Sequence, residues 1–209
     1  MTIVRQLRAA LALTLILSVV TGLAYPALVT MTSRLLFPWQ ASGSLVRANG
    51  RVVGSDLIGQ PFAQPWYFHP RPSAAGAGYD GTASGGTNRG PTSAALAAAV
   101  AARADTLVAS GSAARGAVPG DAVTASASGL DPHVSPANAR LQVARVASAR
   151  GADSATVRAL LERHIEGRQL GVLGEPRVNV LRLNIALDAA FPLPATTPRA
   201  DSTTHPESP

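Results

Sequence analysis

Between Arg8 and Arg34 the chain carries no charged side chain, and residues 9–29 are almost wholly apolar. As an α-helix rising about 1.5 Å per residue, that run spans about 31 Å, the thickness of a bilayer's hydrocarbon core. Its hydroxyl interruptions are Thr14, Ser18 and Thr21, which can bond back to carbonyls one turn earlier. Residues 9–29 are therefore read as a transmembrane helix. Residues 1–8 are placed on the cytoplasmic side, because Arg5, Arg8 and the terminal amine share a very short segment. Tyr25, Phe37 and Trp39 suit an interfacial aromatic belt. The alternative is a cleaved signal peptide, with Arg5 and Arg8 before an apolar stretch and Gly22-Leu23-Ala24 as a small-x-small cleavage site. Apolar character continues through Ala27, Leu28 and Val29, which favours a retained span. Either way, residues 30–191 are expected as one extracytoplasmic domain. Residues 192–209, rich in Pro, Thr, Ser and Asp without apolar periodicity, are expected as a disordered tail.

Within the domain, residues 44–53 alternate around Asn49-Gly50, a dipeptide suited to the positive φ angles of a type I′ hairpin turn. Residues 61–91 are rich in Pro, Gly, Ser and Thr but hold Trp66, Tyr67, Phe68 and Tyr79, so the spacing predicts a long loop that docks on something. Thr92 or Ser93 can cap a helix running to about Ala109. Ser135-Pro136 is a cap followed by proline in the first turn, and that helix should stop at Gly151. Asp153 or Ser154 starts a third helix to about Ile165, with Val157, Leu160, Leu161 and Ile165 on one face. Residues 178–187 fit both an alternating and a helical pattern, and a short strand turning into a helix is expected. The fold class is thus α/β: one N-terminal transmembrane helix, then one domain of several helices and short strands.

Every permanently basic side chain among the 18 is arginine, and there is neither lysine nor cysteine. Walker A loops, Schiff-base chemistry and Ser-x-x-Lys nucleophiles all need the missing lysine. Disulfide frameworks, thiolate metal sites and cysteine nucleophiles need the missing thiol. His69, His133, His164 and His205 show no i, i+3 or i+4 pairing, so no metal site is expected. The basic balance does not point to nucleic acid either: from residue 40 onward 15 arginines face 12 acids, and they are scattered singly.

Two stretches could carry contacts. Residues 84–92 read Ser-Gly-Gly-Thr-Asn-Arg-Gly-Pro-Thr, and the amides of a Gly-rich turn before a helix can cradle an anion. Ser84, Gly85, Gly86, Asn88 and Gly90 are the candidate nucleotide or partner contacts, against a purely structural reading as tight turns. The second stretch places Ser128, Gly129, Asp131, His133 and Ser135 in a loop before a helix. An Asp, a His and a Ser invite a hydrolase triad, but no Gly-x-Ser-x-Gly elbow occurs in the chain. The plainer reading has Asp131 capping a turn and His133 bonding a backbone carbonyl. Together with residues 61–79, this loop is expected to form a docking surface, and no catalytic residue is assigned.

Three strings in order, Ser84-Gly85-Gly86-Thr87-Asn88 with Gly90-Pro91-Thr92, Ser128-Gly129-Leu130-Asp131-Pro132-His133-Val134-Ser135-Pro136, and Leu173-Gly174-Glu175-Pro176-Arg177-Val178-Asn179-Val180-Leu181, resemble the C subunit of the Kdp potassium-transporting P-type ATPase. Gly54-Ser55, Leu57-Ile58-Gly59-Gln60, Phe68, Arg71-Pro72-Ser73-Ala74-Ala75 and Tyr79-Asp80 extend the likeness, which spans about residues 7–190. The resemblance implies a single-pass accessory subunit of the cytoplasmic (inner) membrane. Its implied partners are a channel-like potassium-binding subunit, a P-type ATPase subunit and the lipid bilayer. ATP and potassium would then be handled at the level of the complex, with this chain raising nucleotide affinity as a catalytic chaperone. The chain has no Asp-Lys-Thr-Gly phosphorylation motif and no Thr-Val-Gly-Tyr-Gly filter loop of its own. The alternative is a membrane-anchored extracytoplasmic hydrolase.

Overall fold

The computed structural model describes residues 2–114 and 116–192, so the expected tail lies outside the described residues except for Pro192. The chain divides into two compact units, Met1–Leu57 and Ile58–Pro209.

The first unit begins with a continuous 34-residue helix, Ile3–Leu36, whose most apolar window has a mean hydropathy of 2.0. It is long and apolar enough to cross a membrane, and none of its described side chains is buried. It comprises α1 (Ile3–Val19), a π-helical turn (Val20–Ala24) and α2 (Tyr25–Leu36). Pro26 explains the wider turn: it lacks an N–H, and its ring crowds the carbonyl four residues earlier, at Gly22. Thr21 Oγ1 donates back to the Leu17 carbonyl at 2.7 Å. The helix ends because Phe37 precedes a proline and is driven out of the α region, to φ −135°. A short helix α3 (Pro38–Ala41) follows, and Trp39 Nε1 donates to the Leu45 carbonyl at 3.1 Å. Strands β1 (Leu45–Ala48) and β2 (Arg51–Ser55) then pair antiparallel through Asn49 and Gly50, at φ 51° and 78°. Those angles are the type I′ turn that Asn-Gly favours.

In the second unit the helix ends follow their capping residues. Ser93 accepts from the Leu96 amide at the start of α4 (Ala94–Ala109). A short α5 (Gly120–Val123) leads to β3 (His133–Val134). Ser135 caps α6 (Pro136–Arg150), which stops at Gly151 in the left-handed region, φ 63°. Asp153 caps α7 (Ser154–Arg163). That helix stops short of Ile165, which instead opens β4 (Ile165–Glu166), because its partner there is Val178 of β5 (Arg177–Asn179). Asn179 ends β5 and caps α8 (Val180–Ala190), the strand-to-helix switch anticipated from the pattern.

The sheet order is β3-β5-β4, all antiparallel, with His133 opposite Asn179 and Val134 opposite Val178. The core lies where α6, α7 and α8 meet this sheet: Val143, Val146, Val157, Leu161, Val178, Leu183 and Leu187 are buried together. Phe68, from the long Pro/Gly loop, is 0% exposed among them. That loop therefore docks on its own domain. Burying such a ring contributes about 2–3 kcal/mol.

Candidate functional site

The Gly-rich stretch lies along the loop before β3. The Gly85 amide donates to the Ser128 carbonyl at 2.9 Å, and Ser84 Oγ donates to the same oxygen at 3.0 Å. A Cβ on Gly86 would stand 2.7 Å from the Ala127 carbonyl oxygen. Gly129, at φ 68°, would place one 2.6 Å from the Ala75 amide nitrogen and 2.7 Å from the Gly85 carbonyl oxygen. These two glycines are required by backbone packed on backbone. A Cβ on Gly85 or Gly90 would meet open space. Ser73 Oγ donates to the Gly129 carbonyl at 2.7 Å and accepts from the Tyr79 amide at 2.8 Å, tying in a third segment. The Gly85 amide is thus engaged with Ser128, and α4 starts at Ala94, beyond Gly90. Thr87, Asn88 and Arg89 are exposed, with Asn88 in the left-handed region at φ 50°.

Asp131 organises the next part of the seam. Its Oδ1 accepts from the His133 amide at 2.9 Å, and its Oδ2 accepts from Arg71 Nη1 at 3.2 Å. Burial works against its charge, but hydrogen bonds from His133 and the Arg71 guanidinium outweigh it and hold the carboxyl below its ordinary range. Tyr79 donates its hydroxyl to the Arg71 carbonyl. Burial, with the Asp131 charge, pushes that phenol up to about 12 against the opposing pull of Arg71.

The three residue types of a hydrolase triad are divided between two carboxylates. His133 Nδ1 lies 3.5 Å from Asp131 Oδ1. Ser135 instead donates its hydroxyl to Asp121 Oδ1 at 2.8 Å, while its amide donates to Asp121 Oδ2 at 2.7 Å. The same hydroxyl accepts from the Asn138 amide as the α6 cap, and its one proton is already donated to Asp121 rather than to His133. The expected turn at Asp131 is present.

β3 pairing with β5 brings in the third string. A cleft of about 390 Å³ is bordered by Arg71, Asp131, His133, Ser135, Glu175 and Arg177. The three strings that lie far apart in sequence are therefore linked through the middle one: residues 84–86 against 127–129, and 131–135 against 175–179. Beyond the cleft a knuckle closes through the Gln169–Leu173 bridge. It exposes Leu170 (90%), Val172 (71%) and Leu173 (56%), with Leu170 held at φ 53°. Its base is charge-neutralised by Arg168–Glu175 at 2.8 Å and Arg177–Glu166 at 3.0 Å.

Sequence reasoning missed Arg71 as the partner of Asp131, and the knuckle as an exposed apolar surface. Leu170-Gly171-Val172-Leu173-Gly174 was its signal: bulky apolar residues set among turn glycines, outside any periodic element.

A family model described as KdpC, K+-transporting ATPase, c chain, matches residues 7–189. The chain is 59% identical over 199 residues to the potassium-transporting ATPase KdpC subunit of Gemmatimonas aurantiaca, covering 95% of this chain and 98% of that one. It is 58% identical to the protein of the same description from Nitratidesulfovibrio vulgaris (90% and 95% covered), and 58% identical to that from Myxococcus xanthus (86% of each).

Proposed function

This chain belongs to the KdpC family of K+-transporting ATPase c chains, and from that membership we propose that it is a non-catalytic accessory subunit. It holds a potassium-binding subunit and an ATP-hydrolysing subunit together in the cytoplasmic membrane. The Ile3–Leu36 helix is its anchor, with the N-terminus inside and the domain from Ile58 outside. Ile3–Leu36 would extend about 51 Å, so both ends pass beyond a hydrocarbon core of about 30 Å.

The observation that supports this reading is the linkage of the three family strings through the middle one, residues 84–86 against 127–129 and residues 131–135 against 175–179, the last leading to the exposed Leu170, Val172 and Leu173. Loops that pack on each other through backbone contacts make a rigid platform, and a cluster of exposed apolar side chains beside it suits a protein partner. Ser84, Gly86, Ser128, Gly129, Asp131 and His133 belong to the platform, Asn88 and Gly90 lie on the exposed stretch that follows it, and the knuckle supplies its apolar contact. An extracytoplasmic domain has no access to cytosolic ATP. Any rise in nucleotide affinity is then a coupling free energy relayed through the membrane subunits.

The test is assembly with a polar knuckle. A chain carrying Leu170→Ser, Val172→Ser and Leu173→Ser should keep the domain's thermal unfolding while recovery of the intact complex in mild detergent drops several-fold. Unchanged recovery would remove the knuckle from the interface.

A further inference from the structure

We propose that the pocket between the 61–73 segment and helices α4 and α6 binds a small amphipathic monoanion, a carboxylate on an aromatic or branched aliphatic body, with Arg145 as its counter-ion. The pocket holds about 370 Å³, the low end of the range for small-molecule sites. Phe62, Leu107 and Leu141 give it apolar walls, while His69, Arg71 and Arg145 give it cationic and donor groups. Among the described residues that line it there is no aspartate or glutamate.

Arg145 is the centre of the argument. Its guanidinium donates to the Pro65 carbonyl and to Gln142 Oε1, the latter at 2.7 Å, and both acceptors are neutral. It forms no ion pair among the described residues, whereas Arg150, on the same helix, meets Asp188 at 2.8 Å and Arg140 meets Glu162 at 2.7 Å. Burial alone draws the Arg145 pKa down, with no nearby carboxylate to restore it. A half-buried cation without a counter-charge is costly, and an arriving carboxylate relieves that cost through charge-assisted hydrogen bonds.

The neighbouring groups agree with a single negative charge. Arg71 is already matched by Asp131 at 3.2 Å, so it brings no uncompensated charge to the pocket. Burial, with the Arg145 charge, lowers the His69 pKa, and its Nε2 donates to the Gln64 carbonyl at 3.0 Å. One unmatched guanidinium thus faces the pocket's ligand. A polyphosphate would leave most of its charge uncompensated there.

Isothermal titration of the full chain in a non-ionic maltoside with 3-phenylpropionate tests this, with the neutral 3-phenylpropanol as its counterpart. Saturable binding of the carboxylate is expected, with the alcohol at least about tenfold weaker. Arg145→Gln should weaken the carboxylate by a similar factor. Because that change also releases the Pro65 carbonyl, Leu141→Trp provides an independent arm: it fills the pocket, leaves Arg145 in place, and should abolish binding. The proposal is overturned by absence of saturable binding to the unaltered chain, by equal binding of the alcohol, or by wild-type affinity in a folded Leu141→Trp chain.

Discussion

Asn184 on α8 satisfies both backbone polar groups of Phe68: its Oδ1 accepts from the Phe68 amide at 2.9 Å, and its Nδ2 donates to the Phe68 carbonyl at 3.0 Å. Gln142 on α6 does the same for the next residue, accepting from the His69 amide at 2.7 Å and donating to the His69 carbonyl at 3.0 Å. Two side-chain amides on two helices thus imitate strand neighbours for a loop that has none. They let Phe68 enter the core without leaving buried backbone groups unpaired.

Asn184→Ala should therefore cost far more than a surface substitution, about 2–4 kcal/mol, because it orphans a buried amide and a buried carbonyl together. Asn184→Asp keeps the acceptor but loses the donor, and it should also destabilise. Denaturant unfolding of the solubilised chain measures both. Loss of near-UV circular dichroism before loss of helix would mark release of the Phe68 loop.

The glycines of the seam should separate into two groups. Gly129→Ala forces a Cβ to 2.6 Å from a backbone nitrogen at a positive φ, and Gly86→Ala forces one to 2.7 Å from a carbonyl oxygen. Each should cost at least about 2 kcal/mol in thermal unfolding. Gly85→Ala meets open space and should stay within about 1 kcal/mol.

The carboxyl of Asp131 gives a pH signature. Its folded pKa lies below the ordinary value of about 3.9, so the stability it contributes is complete above that value and is lost as pH falls through the lower, folded pKa. Asp131→Asn removes both the contribution and that segment of the acid slope. Comparing unfolding midpoints of the two chains from pH 5 downward should show the curves converging in acid.

The absence of cysteine makes topology directly testable. With Thr87→Cys as the sole thiol, on an exposed loop residue, a membrane-impermeant maleimide should label the chain in intact spheroplasts. With Thr2→Cys as the sole thiol, labelling should require permeabilisation. The reverse pattern would place the domain in the cytoplasm.

What the sequence disclosed was local. Ser93, Ser135-Pro136, Gly151 and Asp153 set helix ends through hydrogen bonds within one turn, and Asn49-Gly50 set a hairpin by its φ angles alone. α7 ends two residues before Ile165, which fits the helical stripe but is captured by a long-range sheet pairing with Val178. The destination of Phe68 was hidden for a similar reason, since the clamp from Asn184 lies 116 residues away in a helix whose polar position looks like a flaw in its apolar face. The linkage of residues 84–86, 127–135 and 175–179 has no periodic signature either. It depends on β3 pairing with β5 and on glycines that allow backbone to meet backbone.

The most direct test of the account is a mild-detergent pull-down of the tagged full chain from potassium-starved cells of its source, with co-purifying membrane proteins identified by mass. The account predicts recovery of a P-type ATPase chain together with a multi-span potassium-binding chain, and loss of both with the serine-substituted knuckle. Recovery of this chain alone, from membranes shown to be fully solubilised, would contradict it.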